Sequence, residues 1–261
     1  MLEDAKVPHP EGRQTDARPV DVGSTTPIVG VSSRRFAAGY RSAVTTYSGD
    51  VLVGGPAQTR VLPDLSITKI AVGPMSNNAY LLRCSHTGHQ LLIDAADEPQ
   101  RLLELIGDGG LWAVVTTHRH ADHWQALQRV AVRTTALCLA GRLDAEHLPV
   151  VADVALDHGD EVQVGSCVLR VVHLIGHTPG SIALVYDDPQ GSSHLFSGDS
   201  LFPGGPGRTT SPADFTSLMD SLQTRVFDVM SDETWVYPGH GNDTVLGLER
   251  PHLDEWRARG W

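Results

Sequence analysis

Between Thr116 and Trp124 the chain reads Thr-Thr-His-Arg-His-Ala-Asp-His-Trp. His118, His120, Asp122 and His123 lie close together there, directly after the apolar, β-branched run Leu111–Thr117, which reads as a buried strand. Alternate residues of an extended segment point the same way, so His118 and His120 can face one point. A turn into a helix then swings Asp122 and His123 toward a second point nearby. Imidazole and carboxylate are donors that zinc, iron and manganese accept, so the segment reads as a metal site. Three later segments add one donor each: His177 in Gly-His-Thr-Pro-Gly, Asp199 in Ser-Gly-Asp-Ser, and His240 in Pro-Gly-His-Gly. Each follows an apolar strand and sits in a glycine-rich turn, where backbone can come close to a ligand.

The elements that position these donors are legible in outline. Strands are predicted at Val51–Val53, Ile67–Val72, Ala79–Arg83, Gln90–Ile93, Leu111–Thr117, Val168–Ile175, Ile182–Tyr186, His194–Ser197 and Thr234–Tyr237. Helices are predicted at Glu98–Ile106, stopped by Gly107, and at Asp122–Val130 and Glu249–Arg259. The longest helix opens at Ser211-Pro212, a capping residue followed by proline at the first helical position. Its apolar face is Phe215, Leu218, Met219, Leu222 and Val226. Strands with interspersed helices over this length say α/β. Residues 1–43 are rich in Pro, Asp, Thr and Ser without apolar periodicity, and read as a poorly ordered tail ahead of a catalytic domain over residues 44–261.

Composition narrows the function further. Of 261 residues, 31 are acidic and 20 basic, a net charge of −11. That balance disfavours nucleic acid and anionic membranes as partners. No apolar run approaches a membrane span. Ser33-Arg34-Arg35-Phe36 has the look of an export signal, but no apolar segment follows it. The three cysteines, Cys84, Cys138 and Cys167, share no CxxC spacing and read as small buried hydrophobes, which suits a reducing cytoplasm.

In order, the HxHxDH string, a lone His, a lone Asp and a lone His resemble the metallo-β-lactamase superfamily. The spacings are most similar to its hydroxyacylglutathione hydrolase (glyoxalase II) branch, as is the stretch Gly198-Asp-Ser-Leu-Phe-Pro-Gly-Gly-Pro-Gly-Arg208. The resemblance runs from Ser66 to Trp261. It implies a four-layer αββα sandwich with metals at one sheet edge. It implies one ion on His118, His120 and His177, a second on Asp122, His123 and His240, and Asp199 bridging them. It further implies two divalent ions, zinc first with iron or manganese as alternatives, and a shared hydroxide that attacks the acyl carbonyl of a small thioester or lactone. Asp122 and Asp199 are then the catalytic carboxylates, Asp122 also orienting the hydroxide. Asp94, in the Leu-Ile-Asp-Ala string, supports a ligating histidine from behind.

Departures from the branch bear on substrate. Only 21 residues follow His240, room for one helix where glyoxalase II carries a helical domain, which argues against a glutathione thioester as the dedicated substrate. The bridging Asp199 argues against antibiotic hydrolysis. Trp124 either narrows the site or packs on the sheet. Arg208 either clamps a substrate carboxylate or ties down its own loop. Asn77, Asn78 and Tyr80 either begin a strand that the resemblance places near the metal edge or, the preferred reading, the Asn pair forms a turn; His173 reads as a core or supporting histidine. Persulfide dioxygenases share the fold, the HxHxDH string and a Gly-Arg-Thr sequence, here Gly207-Arg208-Thr209. In that alternative a single iron sits on His118, His177 and Asp199. A nuclease and a non-catalytic binding protein complete the set of competing functions, disfavoured by the charge balance and by the full complement of donors.

Overall fold

The computed structural model describes residues 47–260. The expectations for residues 1–43, tail and arginine pair alike, lie outside them. Seven strands form one sheet in sequential order: β1 (Gln58–Val61), β2 (Leu65–Val72), β3 (Asn77–Cys84), β4 (Gln90–Ile93), β5 (Ala113–Thr116), β6 (Leu137–Gly141) and β7 (Val154–Leu156). The second sheet uses β8 (Glu161–Val164), β9 (Cys167–His173), β10 (Ile182–Asp187) and β11 (Ser193–Gly198). The short hairpin of β12 (Leu201–Phe202) and β13 (Gly205–Pro206) then intervenes, before β14 (Trp235–Pro238) and β15 (Thr244–Val245) complete the sheet in the order β15-β14-β11-β10-β9-β8. The helices are α1 (Pro99–Ile106), α2 (Leu127–Thr134), α3 (Arg142–Ala145), α4 (Pro212–Leu222), α5 (Leu246–Glu249) and α6 (Leu253–Arg259).

Strand periodicity sorts the apolar residues into three layers of packing. Leu91 and Ile93 of β4 face Leu184 and Tyr186 of β10 in the core between the sheets, with Ile67, Leu82, Val115, Leu169 and Phe196. The intervening Leu92 points outward and packs with Leu102 of α1 and Leu127 and Val130 of α2. On the far side Ala183 and Val185 point outward onto Phe215, Leu218, Met219 and Leu222 of α4 and Trp256 of α6. The result is helix, sheet, sheet, helix, the four-layer αββα sandwich expected for this α/β chain. No helix among the described residues is long and apolar enough to cross a membrane.

Four expectations need correction. Val51–Val53 is not a strand: it enters a turn closed by Gly55 N donating to Leu52 O at 2.9 Å, with Gly54 at φ +78°. The helix expected from Asp122 is only a 3-10 turn over Ala121–His123, and α2 starts at Leu127. The N–H groups of Gln125 and Ala126 go to the carbonyls of Ala96 and Ala95 instead of to preceding turns. Glu249–Arg259 is broken into α5, a 3-10 turn at Arg250–His252 and α6, because Pro251 supplies no N–H. Asn77 and Asn78 open β3 as buried strand residues and form no turn.

Topology explains why the donors meet. β4, β5 and β6 run parallel, and so do β11 and β14; β9 runs the same way as β11 because β10 reverses twice. The carboxyl ends of β4, β5, β9, β11 and β14 therefore open on common edges. Each of these five strands is followed within a few residues by Asp94, the HxHxDH turn, His177, Asp199 or His240.

Candidate metal centre

Seven donor residues converge at that edge. His118, His120 and His177 offer nitrogens within 4.8 Å of one another, as do the donor atoms of Asp122, His123 and His240. His118, His123 and Asp199 form a third such group that joins the first two. His120 Nδ1 lies 2.9 Å from His177 Nε2, which lies 3.2 Å from His118 Nε2. His123 Nε2 lies 3.3 Å from His240 Nε2. Tetrahedral zinc with bonds of 2.0–2.1 Å separates its nitrogens by about 3.3 Å. The Asp199 carboxylate stands between the groups: Oδ1 is 3.4 Å from His123 Nε2, and Oδ2 is 3.5 Å from His240 Nε2 and 3.7 Å from His177 Nε2. Its Oδ1 is buried with no hydrogen-bond partner. A buried carboxylate oxygen left without a donor, amid imidazole nitrogens aimed at one another, fits cations as the missing partners.

Outer partners decide which nitrogen each ring presents. Asp94, held at φ +57°, accepts from Thr117 N at 2.7 Å, from Thr117 Oγ1 at 2.8 Å and from His123 Nδ1 at 2.9 Å. His123 therefore carries a proton on Nδ1 and turns Nε2 inward. Because the Thr117 hydroxyl gives its proton to Asp94, it can only accept from His118 Nδ1, 3.0 Å away. His177 Nδ1 donates to the Arg208 carbonyl at 2.6 Å, and His240 Nδ1 to the Met75 carbonyl at 3.1 Å. Four rings thus present Nε2, and His120 presents Nδ1. This is the arrangement that fixes tautomer and ring orientation at metal sites.

Burial and neighbouring charge pull against each other around the site. Burial lowers the pKa of His118, His120 and His177, which keeps them neutral. Burial also opposes charge on His123, but Asp94 and Asp199 outweigh it and hold that ring up at about 10, so without a cation its Nε2 is protonated too, and a metal ion held there would take that proton's place. For Asp199 burial is outweighed by His123 and His240, which hold it well below the usual carboxylate range. For Asp122 the Asn77 amide, donating to Oδ2 at 2.8 Å, and His123 likewise prevail over burial. Close backbone approach completes the site. Gly198 sits at φ +50° before Asp199, and a Cβ on Gly239 would overlap the Asp199 carboxylate and the His123 ring.

Other expected residues fall elsewhere. The Trp124 indole packs against the outer cluster of the first sheet and donates to the Arg119 carbonyl at 2.8 Å. Of the two alternatives for Trp124, these contacts are those of packing on the sheet. Arg208 turns its carbonyl to His177 and its side chain to solvent. His173 Nε2 bonds the Pro179 carbonyl at 2.7 Å, in the loop that carries His177. The three cysteines are buried and free.

Asp144 carried no sequence signal. It is fully buried on α3 and accepts from Arg119 N at 3.0 Å, from Gly180 N at 3.0 Å and from the Thr178 hydroxyl. It joins the turn bearing His118 and His120 to the turn bearing His177. Asp144→Ala leaves buried donors unpaired, a cost of about 1–3 kcal/mol. It is expected to lower Tm and to weaken metal at the three-histidine group about tenfold, within the range for such supports. Thermal melts and chelator competition check both; an unchanged affinity at that group would disconnect Asp144 from it.

Comparison with known proteins agrees with this geometry. The sequence profile of the Metallo-beta-lactamase superfamily matches residues 72–240. A hydroxyacylglutathione hydrolase of Fuscovulum blasticum is 34% identical over 63% of this chain and 62% of its own length, so the chain spans less than two thirds of that relative. Among solved structures, ETHE1 from Myxococcus xanthus shares 32% identity at a TM-score of 0.65, covering 74% of this chain and 84% of that one. TTHA1623, solved in a di-iron-bound form, shares 34% identity at a TM-score of 0.59, covering 70% and 96%. The chain belongs to the metallo-β-lactamase superfamily.

Proposed function

We propose that the chain is a binuclear metallohydrolase cleaving a small acyl thioester or lactone. The observation that carries this reading is the complete donor set, two groups of three joined by the Asp199 carboxylate. His118, His120 and His177 would hold one divalent ion and Asp122, His123 and His240 the other, with Asp199 shared. Zinc is the first candidate, and iron and manganese suit the same donors. Bound there, such a pair supplies Lewis acidity toward a carbonyl and lowers the pKa of water from 15.7 toward about 7.

The protein's own contribution is orientation and charge. Asp122, fixed by the Asn77 amide, presents a carboxylate oxygen that can accept a proton hydrogen bond from the attacking water and set its direction. Arg208, exposed beside the His177 turn and without a hydrogen-bonded partner for its guanidinium among the described residues, is placed to clamp a carboxylate on the acyl compound. Arg208→Ala is expected to raise KM about tenfold for carboxylate-bearing substrates while sparing kcat and neutral substrates. A uniform effect on all substrates would assign Arg208 to its loop instead.

A second reading has its own support. The likeness to ETHE1 at 32% identity, with Gly207-Arg208-Thr209, favours a persulfide dioxygenase-type oxidoreductase with a single iron on His118, His177 and Asp199. Elemental analysis of the untagged protein separates the two. Near two equivalents of metal per chain, with turnover in a thioester and lactone panel, supports the hydrolase. One equivalent of iron, with oxygen uptake on a persulfide, overturns it.

A further inference from the structure

Lys69 is a charged residue in the middle of an apolar strand, Leu65–Val72, and it is completely buried. A buried ammonium needs partners for all three protons. It has them: Asp243 Oδ1 at 2.6 Å, Gly49 O at 2.7 Å and Gly241 O at 2.8 Å. Two of the three belong to the segment just after His240. The rest of that turn is held from the neighbouring strand. Lys69 pairs with Tyr80 across β2 and β3. The Tyr80 hydroxyl donates to Pro238 O at 2.6 Å, and Asn78 Nδ2 lies 2.9 Å from both Pro238 O and Gly241 O. Tyr47 closes the far side, its hydroxyl donating to Asp243 Oδ2 at 2.6 Å.

His240 itself receives little such support. Its ring is part-exposed, and its outer bond is to a single carbonyl, that of Met75. Its position is set by the backbone around it: Gly239 O accepts from Asn78 N at 2.7 Å and residue 240 bridges to Asn77 on one side, and Gly241 to Asp243, held by Lys69, follow on the other. We infer that Lys69, through Gly241 and Asp243, is a positioning residue for His240 from the side that follows it and so tunes the affinity of the second metal ion without touching it. The inference rests on the assignment of Asp122, His123 and His240 to that ion. The same network makes Tyr47 and Gly49, which precede the first strand, part of the support of the metal edge.

The test is zinc binding measured by chelator competition on the full chain. Wild type is compared with Lys69→Met, with Lys69→Met/Asp243→Asn, which leaves no unpaired buried charge, and with Tyr47→Phe. Wild type is expected to bind two zinc ions. In the folded Lys69 variants the ion that His240→Ala also weakens is expected to lose about 10–100-fold in affinity while the other is unchanged, matching the effect of removing outer supports elsewhere. Tyr47→Phe is expected to give a smaller loss in the same ion. Two unchanged affinities in a folded variant overturn the inference. Equal weakening of both ions together with a lowered Tm overturns it as well, because that is general loosening. Fewer than two zinc ions on wild type refutes the two-ion reading, and the inference falls with it. Should Lys69→Met not fold, the double variant and Tyr47→Phe decide.

Discussion

Replacing Asp199 by Ala is expected to strip the protein of most of its bound metal and to lower thioester hydrolysis by more than about 100-fold, beyond the range for outer supports. Among the described residues Asp199 is the one carboxylate within reach of both donor groups, 3.7 Å from His177 on one side and 3.4 and 3.5 Å from His123 and His240 on the other. Without it, five imidazoles and Asp122 must offset the charge of two cations at close quarters, and the mutual repulsion of the ions goes unscreened. Asp199→Asn is the stringent companion. It keeps the volume but removes the negative charge and turns an amide N–H toward one of the groups, so it should fail almost as badly. Elemental analysis after dialysis, followed by steady-state assay, checks both variants. Near-full metal and activity in Asp199→Asn would show that the carboxylate does not bridge and would favour separate sites.

The donors were legible because metal chemistry restricts residue type, and because each donor follows an apolar strand directly. Gln90–Ile93 was read to the residue for a related reason, since all four of its side chains are buried and nothing solvent-facing blurs the run. What escaped was whatever depends on distant partners. β1 has half-exposed, alternating polar residues and is a strand only because β2 pairs with it. β7 is three residues long and paired on one side. Asn77 and Asn78 carry turn-forming chemistry, yet folding sets them against Asp122 and the His240 turn. Asp144 supports residues 119, 178 and 180, a relation with no trace in local pattern. Lys69 did leave a signal: a lysine inside Ile-Thr-Lys-Ile-Ala-Val is costly to bury and implies a dedicated acceptor. The acceptor itself, 174 residues away, is visible only in the fold.

Asp94→Asn is expected to disable the centre without disturbing its shape. The carboxylate accepts three hydrogen bonds, one on Oδ1 from Thr117 N and two on Oδ2 from the Thr117 hydroxyl and His123 Nδ1. An asparagine can keep only the first with its oxygen. Its amide then faces the other two partners as a donor, where a carboxylate accepted. His123 Nδ1 must become the acceptor, which moves the ring proton to Nε2, the nitrogen aimed at Asp122 and Asp199. The Thr117 hydroxyl must also reverse, turning its proton toward His118 Nδ1 and forcing that ring's proton onto Nε2 in its turn. One substitution thus puts a proton on a ligating nitrogen in each donor group. Both ions should weaken by about 10–100-fold each, while the metal-free fold, losing no volume, stays within about 1–2 kcal/mol of wild type. Nitrogen-15 spectra of the histidine rings read the tautomers directly, and chelator competition reads the affinities. Wild-type tautomers with wild-type affinities in Asp94→Asn would mean that Asp94 serves the backbone turn at Thr117 and not the metal centre.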